Sequence, residues 1–325
     1  MNSLTLEKEF DVSRAVLEDY LDAEMYPPRL VVEDALPLQQ ALDAAQIALD
    51  TRLLTFMSGD KLLAIPMSVV LSYNVIQSDN AERNWMLTFC NACNTGMVFD
   101  PMLDGQRLRF RRRGAYDGLL LIYDEETASY WQHITGEGLY GSSVGKQLTS
   151  LADTRQMTVA EALTHTAAYV FIHELSPEQT KLAMFTEKMR ANPERVGDAI
   201  GMTIGQEDTR RPRFELGLGV WDEHGSTFFP LETMHKHNNS LITQFHGRTM
   251  IVYQHPEAIA PAAVYVESKQ AYWEGDVLHL DHGATLREGV YQPVEGIMPF
   301  ERPTQLLMRW YGFALTFPGC VVFTD

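Results

Sequence analysis

Apolar residues change their spacing near residue 50. Before it, Val12, Val16 and Tyr20 recur every four positions with Leu17 and Leu21 beside them, and the run ALPLQQALDAAQIALD sets Leu38, Ala41, Leu42 and Ala45 on one stripe after Pro37. Spacings of three and four are the period of a helix with one buried face, so residues 1–50 read as a helical N-terminal segment. Beyond residue 50 the apolar runs shorten to LLTF, LLAIPM, MLTFC, GMVFD, RLRFRR, LLLIYD and SYWQHI, separated by SGD, DG and TGEG. Short apolar runs between Gly- and Asp-rich breaks predict a meander of strands. A helix-compatible run, TVAEALTHTAA, then feeds the apolar strand YVFIH. Residues 174–213 form a polar connector holding SPEQTKLAMFTEKMR, where Ser176 suits an N-cap and Pro177 the first helical position.

The strand pattern then recurs. Sliding the chain by 164 residues sets Leu54 on Leu218, Phe56 on Val220, Ile65-Pro66 on Phe229-Pro230, Asn74 on Asn238 and MLTF of 86–89 on MIVY of 250–253, with no gap. Val98-Phe99 meets Val264-Tyr265 after a two-residue insertion, and Val170-Phe171-Ile172 and Val321-Val322-Phe323 each close the series after a helix-like run. The expected architecture is α+β and β-rich, with two tandem degenerate copies at 51–173 and 214–325. Each copy reads as a meander or partly closed barrel; segment 1–50 precedes them and connector 174–213 joins them. One interlocked β-sandwich is the other arrangement this pattern allows.

Composition narrows the partners. A chain of 325 residues, 45% hydrophobic, buries one large core or two ordinary ones. No apolar run approaches the ~18 residues of a membrane span, and acidic residues fall in MNSLTLEKEFDVSRAVLEDY where a secretory leader needs an apolar stretch. A cytoplasmic protein with no membrane partner is the expectation. The net charge of −17 repels nucleic acid, which is likewise not an expected partner. A small-molecule ligand stays open, and the sequence carries no signal for an oligomeric state. No Walker loop, dinucleotide fingerprint, Gly-x-Ser-x-Gly elbow or His-Glu-x-x-His helix occurs, which sets nucleotide and serine-hydrolase chemistry aside.

The chain holds three cysteines, and two of them, Cys90 and Cys93, stand three apart in LTFCNACNTGMVFD. Few cysteines in a long chain fit a reducing compartment, where such a pair binds metal or does redox work more often than it staples structure. A thioredoxin-type pair opens a helix, whereas GMVFD reads as strand. Three cysteines cannot build a Cys₄ zinc site, but two thiolates with a histidine suit zinc or another transition metal, and two thiolates alone suit copper(I). His133, in WQHITG, is the candidate third ligand or proton carrier. Copy two has QHPEAIAPA where copy one has the thiols, so the reactive centre is expected in copy one. The histidines at 224, 235, 237, 246, 255, 279 and 282 crowd copy two, with His235 and His237 on one face of a strand. Trp131, Gln132, Asp124 and Thr127 either line a ligand pocket, with Thr95 near the thiols, or pack a capped turn. In RLRFRRR, Arg107, Arg109, Arg111 and Arg113 share a strand face; they hold an anionic ligand, protect a sheet edge or pair with the protein's own acids. The alternative is a non-catalytic ligand-binding or assembly module in which the cysteines only shape a structural turn.

An aromatic residue followed by Cys-x-x-Cys-Asn-Thr (Phe89 to Thr95), an apolar-Phe-Asp strand (Val98 to Asp100), Tyr-Asp-x-x-Thr-x-Ser-x-Trp-x-x-x-x-Gly (Tyr123 to Gly136) and Gly-x-x-x-Gly-x-x-Leu (Gly141 to Leu148) together resemble the family called domain of unknown function 3179. FPGCVV at 317–322 extends the resemblance. Asn91 stands where members often have Pro, and Tyr116-Asp117-Gly118 where they tend to have Asn-Ser-Asp. The resemblance implies a fold and a site position, not a reaction.

Overall fold

The computed structural model describes residues 10–17, 29–78, 84–196, 201–281, 283–287, 290–292 and 301–324. They build several small antiparallel and mixed sheets joined by short helices, an α+β, β-rich fold. The chain divides into two compact units. One comprises the described residues of Met1–Glu33, Ser68–Ala152 and Leu175–Glu207; the other those of Asp34–Met67, Asp153–Glu174 and Asp208–Asp325.

In the first unit, strand Met86–Thr88 lies between Val75–Ser78 and Met97–Phe99, both antiparallel to it, and every residue of the three is buried. Burial on both faces explains the unbroken apolar run MLTF. Leu30–Val32 pairs parallel at one edge of this sheet, and Ser150–Asp153 lies at the other. A second sheet runs Ala15–Leu17, Phe110–Tyr116, Leu119–Asp124, Tyr130–Gln132, Gly138–Tyr140. Its central hairpin turns on Asp117-Gly118, at φ +52° and +74°, the two left-handed residues that a tight hairpin of the right twist requires.

Among the described residues of the first fifty, strands and a 3₁₀ turn stand beside a single short helix. Val12–Arg14 is a 3₁₀ turn and Ala15–Leu17 a strand, with Ala15 opposite Tyr116, where the spacing predicts a continuous helix. A spacing of four is even, so it places Val12 and Val16 on one face of a strand as well as of a helix. Tyr20 and Leu21 lie outside the described residues. The second predicted helix does form, as Leu38–Asp43 with Leu38 and Ala41 buried, and stops before Ala45 at φ +53°. In the connector, Pro177–Ala191 is the expected helix. The Ser176 hydroxyl accepts the Gln179 N–H at 3.2 Å, and the Gln179 side chain accepts the Ser176 N–H at 3.0 Å.

The second unit holds a sheet ordered Arg155–Thr158, Arg52–Ser58, Lys61–Pro66, Ala168–Val170, Leu36–Pro37, and another ordered Thr304–Arg309, Leu216–Asp222, Gly225–Pro230, Val321–Val322. Some of their elements recur at a fixed spacing along the chain. Strands Arg52–Ser58 and Leu216–Asp222 lie 164 residues apart, as do Lys61–Pro66 and Gly225–Pro230; the helices Met67–Tyr73 and Leu231–Lys236 begin at the same offset. Asn74 and Asn238 both adopt positive φ, +60° and +53°. Each series closes with a parallel strand, Tyr169 opposite Leu63 and Val321 opposite Thr227. That register moves the sequence match by one residue, placing Tyr169 rather than Val170 at the position of Val321.

Candidate thiol and metal centre

Residues 90–95 link strand Met86–Thr88 to Met97–Phe99, and the loop is tied at its base. The Cys90 N–H donates to the Thr95 carbonyl at 2.7 Å, and the Asn94 N–H donates to the Cys90 carbonyl at 2.9 Å. Asn94, at φ +62°, makes the reversal, a conformation that Asn tolerates better than most residues. Gly96 then passes so near its neighbour strand that a Cβ there would sit 1.8 Å from the Thr88 carbonyl oxygen. Side chains anchor the loop from outside. Asn91 Nδ2 donates to the Leu71 carbonyl at 3.3 Å, and the Asn94 side-chain oxygen accepts from Arg190, itself held by Glu187 at 3.0 Å. Asn74 Nδ2 donates to the Phe89 carbonyl at 2.9 Å, while Arg112 donates to Asn74 Oδ1 at 3.0 Å.

This frame brings three reactive groups together. The Cys90 and Cys93 sulfurs lie at disulfide bonding distance, with Cα atoms 5.5 Å apart. The Cys93 N–H donates to Cys90 Sγ at 3.2 Å. His133 Nε2 lies 3.5 Å from Cys93 Sγ, and its backbone carbonyl accepts from Thr88 Oγ1 at 3.0 Å, which fixes its strand end to the cysteine hairpin. One ligand atom from each of Cys90, Cys93 and His133 falls within 4.8 Å of the others. All three are buried: Cys90 is 3% exposed, Cys93 and His133 0%. Burial holds the His133 imidazole down to about pKa 3, so it is neutral at ordinary pH. Its Nδ1 has no hydrogen-bond partner among the described residues. A neutral imidazole and two sulfurs are a donor set for a soft or borderline transition metal.

The other predicted residues stand around this centre in different roles. Asp124 is fully buried and accepts three hydrogen bonds, from the Thr127 N–H at 2.6 Å, the Thr127 hydroxyl at 2.7 Å and Trp131 Nε1 at 2.8 Å. Thr127 continues to Ser129 Oγ at 2.8 Å, and Ser129 Oγ accepts the Ser143 N–H at 3.1 Å. The Tyr-Asp-x-x-Thr-x-Ser-x-Trp segment thus makes a part-buried hydrogen-bonded turn that ties the buried Asp124 to Trp131, 0% exposed and packed on Phe110. Gln132 Oε1 accepts the Ile134 and Thr135 N–H groups, the latter at 2.7 Å, and so shapes the turn that carries His133. The Thr95 hydroxyl is buried without a partner among the described residues.

The arginine run is broken rather than continuous. Gln106–Arg107 and Phe110–Tyr116 are separate strands with Leu108 and Arg109 between them, because the Arg109 N–H and Nε both turn to Glu126, at 2.6 Å each. Arg111 lies over the Tyr123 ring at 4.7 Å and Arg113 over the Tyr130 ring at 5.7 Å. His235 sits in helix Leu231–Lys236 and His237 caps it, so the strand placing them on one face does not form. His246 pairs with Asp222, His255 packs on Trp273, His279 stacks on Tyr272, and His282 lies outside the described residues. Arg190, Asn74 and Thr88 were not legible as parts of the site; only Asn74, matched to Asn238, carried any signal.

A β-rich α+β chain with a buried Cys-Cys-His cluster in a strand-to-strand loop is the class that fold and site define. The chain belongs to the family described as Protein of unknown function (DUF3179), whose model matches residues 37–290. No curated protein and no solved structure matches it. Among the described residues, no helix is long and apolar enough to cross a membrane.

Proposed function

We propose that Cys90 and Cys93 as thiolates, with His133 Nε2 as third ligand, hold a transition metal, zinc or copper(I), and that oxidation of the pair to the disulfide by an external small-molecule disulfide, itself reduced to two thiols, would free it. The supporting observation is the convergence of three buried ligand atoms within 4.8 Å. Two sulfurs and one nitrogen are one ligand fewer than a closed structural zinc site uses, and they would give copper(I) a soft ligand set. Two-electron reduction of the disulfide by an external dithiol, itself oxidised to a disulfide, would yield two thiols, which would lose their protons on serving as ligands. The Cys93 N–H on Cys90 Sγ favours the thiolate. That contact, with the sulfurs at bonding distance, also supports a second reading, in which the pair exchanges electrons with a small molecule and holds no metal. The matched series of strands supports two degenerate copies, 51–173 and 214–325, with the reactive centre in the first.

Protein purified without an affinity tag is expected to take up stoichiometric zinc or copper(I) after reduction with dithiothreitol and removal of the reductant. The oxidised protein and the Cys90→Ser/Cys93→Ser variant should take up none. Metal analysis beside a thiol titration separates the readings: reversible thiol oxidation without metal supports the redox pair. Near-zero metal in all samples, with unchanged thiol reactivity, leaves the cysteines a structural turn.

A further inference from the structure

Two hairpin tips of the second unit bring a pair of histidines together at the surface. Strands Leu216–Asp222 and Gly225–Pro230 turn through Glu223 and His224, and strands Ser240–Phe245 and Arg248–Tyr253 turn through His246 and Gly247. The His224 and His246 ring centres lie 5.9 Å apart, with the rings at 85° to one another. Two imidazoles that share one ion, through metal–nitrogen bonds of about 2.0–2.1 Å, hold their ring centres roughly 4.5–6.5 Å apart. The pair already stands at that separation.

Asp222 organises both turns. Its Oδ1 accepts the His224 N–H at 2.8 Å and the Gly225 N–H at 3.2 Å, while its Oδ2 lies 3.0 Å from His246 Nδ1. Burial raises the Asp222 carboxyl, but the hydrogen bonds from His246, His224 and Gly225 hold its pKa below the ordinary value, so it is a carboxylate that only accepts. The His246 proton therefore sits on Nδ1, and the lone pair of Nε2 is left for a ligand. A carboxylate behind the far nitrogen of an imidazole is the usual support of a metal-bound histidine. Among the described residues nothing hydrogen-bonds to His246 Nε2. A Cβ on Gly225 would stand 3.2 Å from that nitrogen, so the glycine keeps its approach clear. His246 itself holds φ +45° before Gly247 at +80°, where tight hairpins most often place Asn or Asp. Arg248, next in that turn, is held by Glu301 at 2.6 Å.

We propose that His224 and His246 bind a divalent copper or nickel ion at this surface, with Asp222 as the positioning residue behind His246 and water completing the coordination. Among the described residues only Cys90, Cys93 and His133 gather three ligand atoms within 4.8 Å, so the histidine pair offers two protein ligands. Imidazole and oxygen in a tetragonal arrangement suit copper(II) and nickel(II), whereas zinc sites take three or four protein ligands. The His224 side chain is 67% exposed, so its ring can turn to meet the ion. The site shares no residue with the thiol centre.

Copper(II) chloride titrated into the tag-free full chain carrying Cys90→Ser/Cys93→Ser, so that the thiol centre takes no part, tests the proposal. One equivalent is expected to bind, and electron paramagnetic resonance should show two equatorial nitrogens. His246→Asn suits the left-handed turn and should fold as before, and His224→Gln alters an exposed ring. Each should leave one nitrogen on the ion and weaken binding about tenfold or more, while Asp222→Asn should keep both nitrogens and weaken binding about tenfold, as loss of the support behind a ligand does. Absence of a bound equivalent overturns the proposal. So does an affinity unchanged in both histidine variants, which places the ion elsewhere on the chain, or a bound copper(II) whose spectrum shows no nitrogen.

Discussion

Gly96→Ala is expected to destabilise the protein by more than about 3 kcal/mol, the top of the usual range for overpacking. The added Cβ would stand 1.8 Å from the Thr88 carbonyl oxygen, 2.9 Å from its carbonyl carbon and 3.1 Å from Phe89 Cα. All three obstacles are backbone, so no side chain can rotate away. Moving strand Met86–Thr88 instead would strain its pairing of Thr88 with Val75, and the Thr88 hydroxyl bond to the His133 carbonyl at 3.0 Å. The cysteine loop and His133 are joined through that threonine, so the variant should lose the close approach of His133 to Cys93 together with stability. Gly59→Ala is the control. Nothing lies within 4 Å of its Cβ, but φ is +63°, so the cost is the left-handed backbone alone, about 1–2 kcal/mol. Urea midpoints compare the two; a Gly96→Ala protein within about 1 kcal/mol of wild type would show that the hairpin is not packed this closely.

Cys90, Cys93 and His133 were legible because two of them are rare residues at a chemically meaningful spacing and the third lies in the adjoining motif. The strands at 52–66 and 216–230 were legible because short apolar runs flank a Gly- or Asp-bearing turn in each. What stayed hidden has a common cause. Val12 and Val16 fit two periods equally. RLRFRRR alternates correctly for a strand but is interrupted by the pull of Glu126 on the Arg109 backbone, a contact 17 residues along the chain. Arg190 reaches Asn94 from a polar helix whose sequence offers no reason for it. Trp131, Asp124 and Thr127 left pocket and packed turn equally open, because the hydrogen bonds that join them cannot be read from spacing.

Asp124→Ala should be as damaging as a large core deletion although it removes only a carboxylate. The group is fully buried and is the acceptor for the Trp131 indole N–H at 2.8 Å, the Thr127 N–H at 2.6 Å and the Thr127 hydroxyl at 2.7 Å. Hydroxyls can turn to another acceptor, here Ser129 Oγ, whereas the indole and backbone N–H groups are fixed in direction. Two stranded donors at about 1–3 kcal/mol each predict a loss of roughly 3–5 kcal/mol. Asp124→Asn keeps one acceptor oxygen and should cost about half as much. Trp131→Phe keeps the aromatic volume against Phe110 and removes the donor, so it should be mild, about 1–2 kcal/mol, while Trp131→Ala should fall in the range of about 3–5 kcal/mol for an emptied aromatic site. The double variant Asp124→Ala/Trp131→Phe carries the decisive comparison. If the carboxylate chiefly serves the indole, the second substitution should add little to the first, giving a coupling of about 1–2 kcal/mol in a denaturation cycle. Strict additivity, or an Asp124→Ala protein as stable as wild type, would place Asp124 and Trp131 in a ligand-facing role instead of the turn that supports His133.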